Sequence, residues 1–147
     1  PHLTVTLLDS LNKRVRFLME VTAAMGLPNV RCIHARAEEA ARTAEHRAAY
    51  DIAVSRAVAR LPVLLEYTLP FVRVGGTLLA LKGRAYAEEQ KEARRAAEVL
   101  GGGRITARPV RLPGLDDVRA MLTVTKERQT PAAYPRGGGA PTRRPIV

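Results

Sequence analysis

With 147 residues, 46% of them apolar, the chain has the size of one domain around one core, and no oily run approaches the roughly 20 residues of a membrane helix. Twenty-four lysines and arginines against 14 acids leave a formal charge of +10, which favours a polyanionic partner. Nucleic acid stands ahead of an acidic membrane face, since no basic amphipathic anchor helix is evident; an arginine-rich proteome is the plain alternative. A single cysteine, Cys32, excludes an internal disulfide, and its apolar neighbours suggest a buried thiol in a reducing, cytoplasmic setting. The chain opens at Pro1, directly into strand-like residues, so an N-terminal part is expected to be missing.

Residues 3–8 (LTVTLL) alternate and are rich in β-branched side chains, the pattern of a strand. Ser10 follows as the expected N-cap of a helix in which Leu11, Val15, Leu18, Thr22 and Met25 recur at steps of four and three, closed by Gly26. Residues 30–34 (VRCIH) form a second strand. In the alanine-rich segment 35–49, Glu38 and Arg42 are spaced as an exposed helix pair. Residues 50–54 read as a buried third strand, Ser55-Arg56 as a polar turn, and the segment from Leu61 as a helix with Pro62 in its first turn and Pro70 near its end. Val74-Gly75-Gly76 is expected to turn into a fourth buried strand, 77–81, which ends at Lys82-Gly83. Residues 85–100 make a charged helix, with Glu88 near Lys91 and Glu92 near Arg95, stopped by three glycines. Two strands in succession, 105–112 and 119–126, imply an antiparallel pair at a sheet edge, separated by Pro113-Gly114 and Asp116-Asp117. Residues 1–130 thus form an α/β domain, and 131–147 a basic, Pro/Gly-rich tail that is expected to be extended.

In a doubly wound sheet, ligands bind outside the carboxyl ends of the strands. That edge would collect Asp9, Arg36 to Glu38, Ser55-Arg56 and Lys82. Each has a bland alternative: Asp9 as a helix-start acid, Glu38 as a partner of Arg42, Lys82 as a solvated strand end. Arg56 is harder to dismiss, because an arginine with nothing to pair with is rarely placed beside a buried strand. His2, His34 and His46 lack metal-ligand spacing, and there is neither a P-loop nor a G-x-S-x-G elbow. Cys32 lies within a strand, so the sequence supplies neither a nucleophile nor an obvious base.

The motifs LLDSLNKRVRFL, ARAEEA, YDIAVSRAVARLPVL, GGTLLALKG and TPAAYPRGGGAP with a closing RRPI, in this order, strongly resemble the ribosomal RNA small subunit methyltransferase G family, also called GidB. The resemblance covers essentially the whole chain. It implies a class I methyltransferase with a Rossmann-like doubly wound sheet, mostly parallel, with a C-terminal antiparallel hairpin. The implied activity is S-adenosylmethionine-dependent methylation of guanine N7 in 16S ribosomal RNA, naked or in a small-subunit precursor, with no metal and no membrane. By the same resemblance Asp9, Ala37, Glu38 and Arg56 match cofactor-binding positions, and Arg36, Lys82, Arg136, Arg143 and Arg144 are candidates for RNA contacts. Family members also carry a helical region, and a first strand with a glycine-rich turn that would lie between the strands of Leu7 and Val54; this chain lacks both. A non-catalytic RNA-binding module is therefore the second expectation, and a nicotinamide-dependent oxidoreductase is disfavoured because no dinucleotide fingerprint is present. Guanine N7 has an in-plane lone pair and no proton to lose, which suits a site without a base. Ser55-Arg56-Ala57-Val58 is neither the Asn-Pro-Pro-aromatic loop of amine methylation nor a cysteine site.

Overall fold

The computed structural model describes residues 2–114 and 117–147, so Asp116 of the expected turn lies outside the described residues. The chain divides into two compact units, residues 1–40 and 41–147.

In the first unit, β1 (Val5–Asp9) and β2 (Val30–His34) pair in parallel, from Val5 opposite Val30 to Asp9 opposite His34. They are joined by α1 (Asn12–Ala24), which buries Val15 and leaves Phe17, Met19 and Met25 exposed. Ser10 does not cap this helix. Leu11 occupies the N-cap position, and Asp9 Oδ1 accepts the Leu11 N–H at 2.8 Å, because a carboxylate two residues upstream closes this turn more readily than a neighbouring hydroxyl. Gly26, at φ 62°, ends the helix as expected. The segment after β2 yields only one helical turn, α2 (Ala37–Ala40).

The second unit holds a mixed four-stranded sheet in the order β3-β4-β6-β5, built from β3 (Tyr50–Arg56), β4 (Val72–Lys82), β5 (Thr106–Val110) and β6 (Arg119–Thr125). β3 and β4 are parallel, while β6 runs antiparallel to both β4 and β5, which gives the expected final hairpin. β4 begins five residues earlier than its apolar run suggests. Gly75 and Gly76 lie within it, and the register shifts between Tyr50 and Ile52. A Cβ on Gly76 would sit 2.5 Å from the Asp51 carbonyl oxygen, so glycine here permits close strand approach and does not form a turn.

α3 (Leu61–Thr68), α4 (Tyr86–Glu92) and α5 (Arg94–Leu100) accompany this sheet. The expected single helix over 85–100 divides at Ala93, and its ion pairs among the described residues are Lys82–Glu89, Arg60–Glu92 and Arg95–Glu98. Strand alternation sorts the sheet residues. Leu78, Ala80, Leu122 and Val124 join Leu61, Leu64, Leu65, Leu69, Ala96 and Leu100 in the core. On the opposite face the pairings align Arg56, Leu81, Met121 and Arg108 in one row across four strands. Ile52 and Val54 on that face are 56% and 66% exposed, so β3 is packed on one side only and is not the fully buried strand its apolar content suggests.

Residues 131–147 differ from an extended tail. Tyr134 and Ile146 pack on the core, Pro135 is buried, and α6 (Ala140–Arg143) adds a short helix. Arg42 donates to the carbonyls of Pro135 and Ala133 and so is not the partner of Glu38. Arg47 donates to the carbonyls of Thr130, Pro131 and Tyr134. The strand of Leu7 belongs to the two-stranded sheet and that of Val54 to the four-stranded sheet.

Candidate functional site

The parallel pairing of β1 with β2 brings Asp9 and the segment after His34 to the same sheet edge. Asp9 accepts from Leu11 N–H and, at 3.3 Å, from Arg14 Nη1, so its carboxylate retains acceptor capacity for further donors. Ala37 opens α2. The Glu38 side chain is only 9% exposed, and its one ion-pair contact among the described residues, to Arg36 Nη1, is 3.7 Å long. Two acids with unfilled acceptor positions suit a ligand that presents hydroxyl and amine donors. Arg36 itself is exposed.

In the second unit Arg56 ends β3, exposed at the carboxyl edge. Ala57 follows at φ 55°, a left-handed conformation that costs a non-glycine residue of order 1 kcal/mol and is most often retained at functional sites. Ser55 points the other way; it is buried, and its Oγ has no hydrogen-bond partner among the described residues. A cavity of about 520 Å³ opens beside this turn, lined by Arg56 and Ala57, by Leu81 of β4, by Leu112 beyond β5, and by Arg119 of β6. Arg119 Nη2 donates to Asp117 at 3.1 Å, while its Nε–H is buried and has no partner among the described residues. Arg119 was legible as the outward residue of an alternating strand, but only the pairing register shows that it shares a face with Arg56.

Lys82, expected to reach RNA, turns inward. Its ammonium donates to the Ala59 carbonyl and pairs with Glu89 Oε2 at 2.8 Å, both side chains being nearly buried. Glu89 Oε2 also accepts the Leu61 N–H at 2.7 Å and so satisfies a free donor at the start of α3. Lys82, Glu89 and the Arg60–Glu92 pair together fasten the loop that follows Arg56.

Arg136 also turns inward. Its guanidinium forks onto Glu66, with Nε–Oε1 at 2.9 Å and Nη2–Oε2 at 2.6 Å, and its backbone N–H adds a third contact at 2.7 Å. Glu66 is 1% exposed, and the hydrogen bond to it raises the guanidinium pKa above its ordinary value. The buried ammonium of Lys126 donates to Leu69 O at 2.6 Å and to Thr130 Oγ1. Burial, with Arg47 nearby adding repulsion, lowers its pKa to about 8. Arg143 and Arg144 are exposed and have no ion pair among the described residues. Among the described residues there is no cluster of His, Cys, Asp or Glu that could hold a metal, and no helix long and apolar enough to cross a membrane.

Residues 1–110 match the family model described as GidB, rRNA small subunit methyltransferase G. The chain is 47% identical over 147 residues to the ribosomal RNA small subunit methyltransferase G of Desulforamulus reducens, covering 100% of this chain and 61% of that protein. It is 48% identical over 146 residues to that of Alkaliphilus metalliredigens, covering 99% and 61%. The chain thus spans about three fifths of the length of these relatives. Among solved structures it resembles TYW2 of M. jannaschii in complex with AdoMet, at TM-score 0.63 and 18% identity, covering 85% of this chain and 58% of that one. It also resembles a predicted O-methyltransferase from Agrobacterium tumefaciens, at TM-score 0.62 and 16% identity, covering 85% and 63%. At these identities the structural likeness establishes the fold, an α/β methyltransferase-like architecture.

Proposed function

The chain belongs to the GidB family, rRNA small subunit methyltransferase G, and we propose that it acts in S-adenosylmethionine-dependent methylation of guanine N7 in 16S ribosomal RNA, free or within a small-subunit precursor, in the cytoplasm. The family match over residues 1–110 carries the proposal. The chemistry at the strand ends supports it.

Asp9 and Glu38 would accept donors from the cofactor's ribose and adenine side, Ala37 would lie against it, and Arg56 would contribute a charged donor. The bound cofactor supplies an electrophilic methyl group. The protein's part is to hold the guanine so that the N7 lone pair meets that methyl in line, a positioning effect for which no general base is required. Exposed Arg36, Arg143 and Arg144 are proposed RNA contacts. Lys82 and Arg136 are left out of that set because buried acids hold them.

A second reading, RNA binding without methyl transfer, is favoured by the formal charge of +10 and the exposed arginines. Calorimetry with S-adenosylmethionine separates the two. Heat that is competed by S-adenosylhomocysteine, with 7-methylguanosine then detected in 16S RNA by chemical cleavage, supports transfer; no heat sinks it for this chain. Arg56→Ala is expected to weaken cofactor binding about tenfold or more without lowering the melting temperature. Loss of salt-dependent RNA affinity alone would reassign Arg56 to a phosphate.

A further inference from the structure

Two of the five cations to which the family motifs direct attention are occupied by acids, and other exposed cations lie outside those motifs. Lys82 and Arg136 are held by Glu89 and Glu66. Arg108 on the edge strand β5, with Arg104 two residues before the strand and Arg111 directly after it, are all exposed, and none has a side-chain hydrogen bond or ion pair among the described residues. No acidic residue occurs between Glu98 and Asp116. Within β5 alternation sets Thr106, Arg108 and Val110 on one face, opposite core-facing Ala107.

Each end of this stripe opens into a concavity. At the far end, Val110 and Leu112 line the cavity of about 520 Å³ that is also lined by Arg56, Glu89 and Arg119, whose Nε–H has no partner among the described residues. That volume is within the range of a small-ligand site and is ample for one nucleotide. At the near end, Arg94, Arg104 and Arg128 line a groove of about 540 Å³ together with Glu98 and Glu127.

We propose that β5 is the track for a single-stranded segment of RNA: Arg104, Arg108 and Arg111 hold consecutive stretches of its phosphodiester backbone, and one nucleotide enters the cavity between Arg56 and Arg119. The proposal rests on the RNA-modifying reading above and adds where the RNA lies. A protein strand is a poorer occupant of this edge. Pro109 lacks the N–H that strand addition needs, and flanking arginines are typical of edges protected against such pairing. Long, unpaired, solvated cations attract a polyanion through counterion release and need no fixed geometry.

The test is fluorescence anisotropy of the full chain with a short labelled single-stranded RNA, titrated at several salt concentrations. The track variant carries Arg104→Gln, Arg108→Gln and Arg111→Gln. A charge-matched control carries Lys13→Gln, Arg16→Gln and Lys91→Gln, all exposed positions. Three lost phosphate contacts at about 0.7 each lower the slope of log affinity against log salt by about 2 for the track variant, and the control slope stays near that of the wild type. Both variants should melt near the wild type, and S-adenosylmethionine binding should be unchanged. Equal slopes for the track variant and the wild type overturn the track while leaving the RNA reading standing. An equal loss in the control also overturns it, as does a polyglutamate competitor that binds with the same dependence on the three arginines. If the wild-type chain shows no salt-dependent RNA binding at all, the RNA-modifying reading falls and the track with it.

Discussion

Replacing Arg136 by alanine tests whether the closing Tyr-Pro-Arg of the chain touches RNA or holds the fold. The substitution removes three side-chain contacts to Glu66, at 2.6, 2.9 and 3.2 Å, and keeps the backbone N–H contact. What remains is a carboxylate 1% exposed with its counter-ion gone. Breaking a buried pair from one side costs about 3–5 kcal/mol, and because Arg136 is itself 30% exposed, water can partly replace it, which places the loss near the lower end. For a chain of this length a loss of about 3 kcal/mol lowers the melting temperature by about 10 °C. Thermal unfolding followed by circular dichroism measures it. Arg136→Lys, which keeps the charge but not the planar fork, should fall between wild type and Arg136→Ala. A melting temperature within about 2 °C of wild type for Arg136→Ala, together with weakened RNA binding, would refute the reasoning and return this arginine to the RNA surface.

Lys126 titrates near 8 in the folded chain against 10.5 when unfolded, so between those values the unfolded chain holds the proton more firmly and stability rises with pH. From about pH 7 to about pH 9.5 this contributes about 2 kcal/mol, a gain that Lys126→Met should lack; parallel pH profiles in denaturant unfolding would contradict it. Gly101 ends α5 at φ 84°, and a Cβ there would lie 2.2 Å from the Arg128 carbonyl oxygen. Gly101→Ala should therefore cost upward of about 2 kcal/mol in the same unfolding experiment, and a change below about 0.5 would show that the 127–128 backbone yields.

The fold was legible wherever the relevant forces are local. The strand at 30–34 and the helix stop at Gly26 follow from alternation and from glycine's freedom at positive φ, and both stand as read. Glycine also misled: Gly75-Gly76 reads as a turn but serves a close strand approach, which depends on Asp51 more than 20 residues away. The charged residues were harder to place, because local spacing offers plausible partners that the fold does not use. Arg42 lies one helical turn beyond Glu38, yet it bonds to carbonyls more than 90 residues onward. Lys82 and Arg136 looked like surface cations until the acids that hold them, Glu89 and Glu66, were brought beside them. The row of Arg56, Leu81, Met121 and Arg108 could not be read from any one strand, since it exists only through pairing register.

The grip of Arg42 and Arg47 on residues 130–135 is directed entirely at carbonyl oxygens. Every amino acid supplies the same carbonyl, so the arginine contacts themselves fix the path of the segment without selecting side chains, and only residues such as Thr130 and Tyr134 are selected, by their own packing. Positions such as Ala132 and Ala133, exposed on that path, can vary freely, and selection acting on what the segment binds is uncoupled from selection on how it is held. Drift should therefore be constrained at the two gripping arginines and relaxed at exposed positions such as Ala132 and Ala133, while Thr130, Tyr134 and Pro135 stay tied by their own burial.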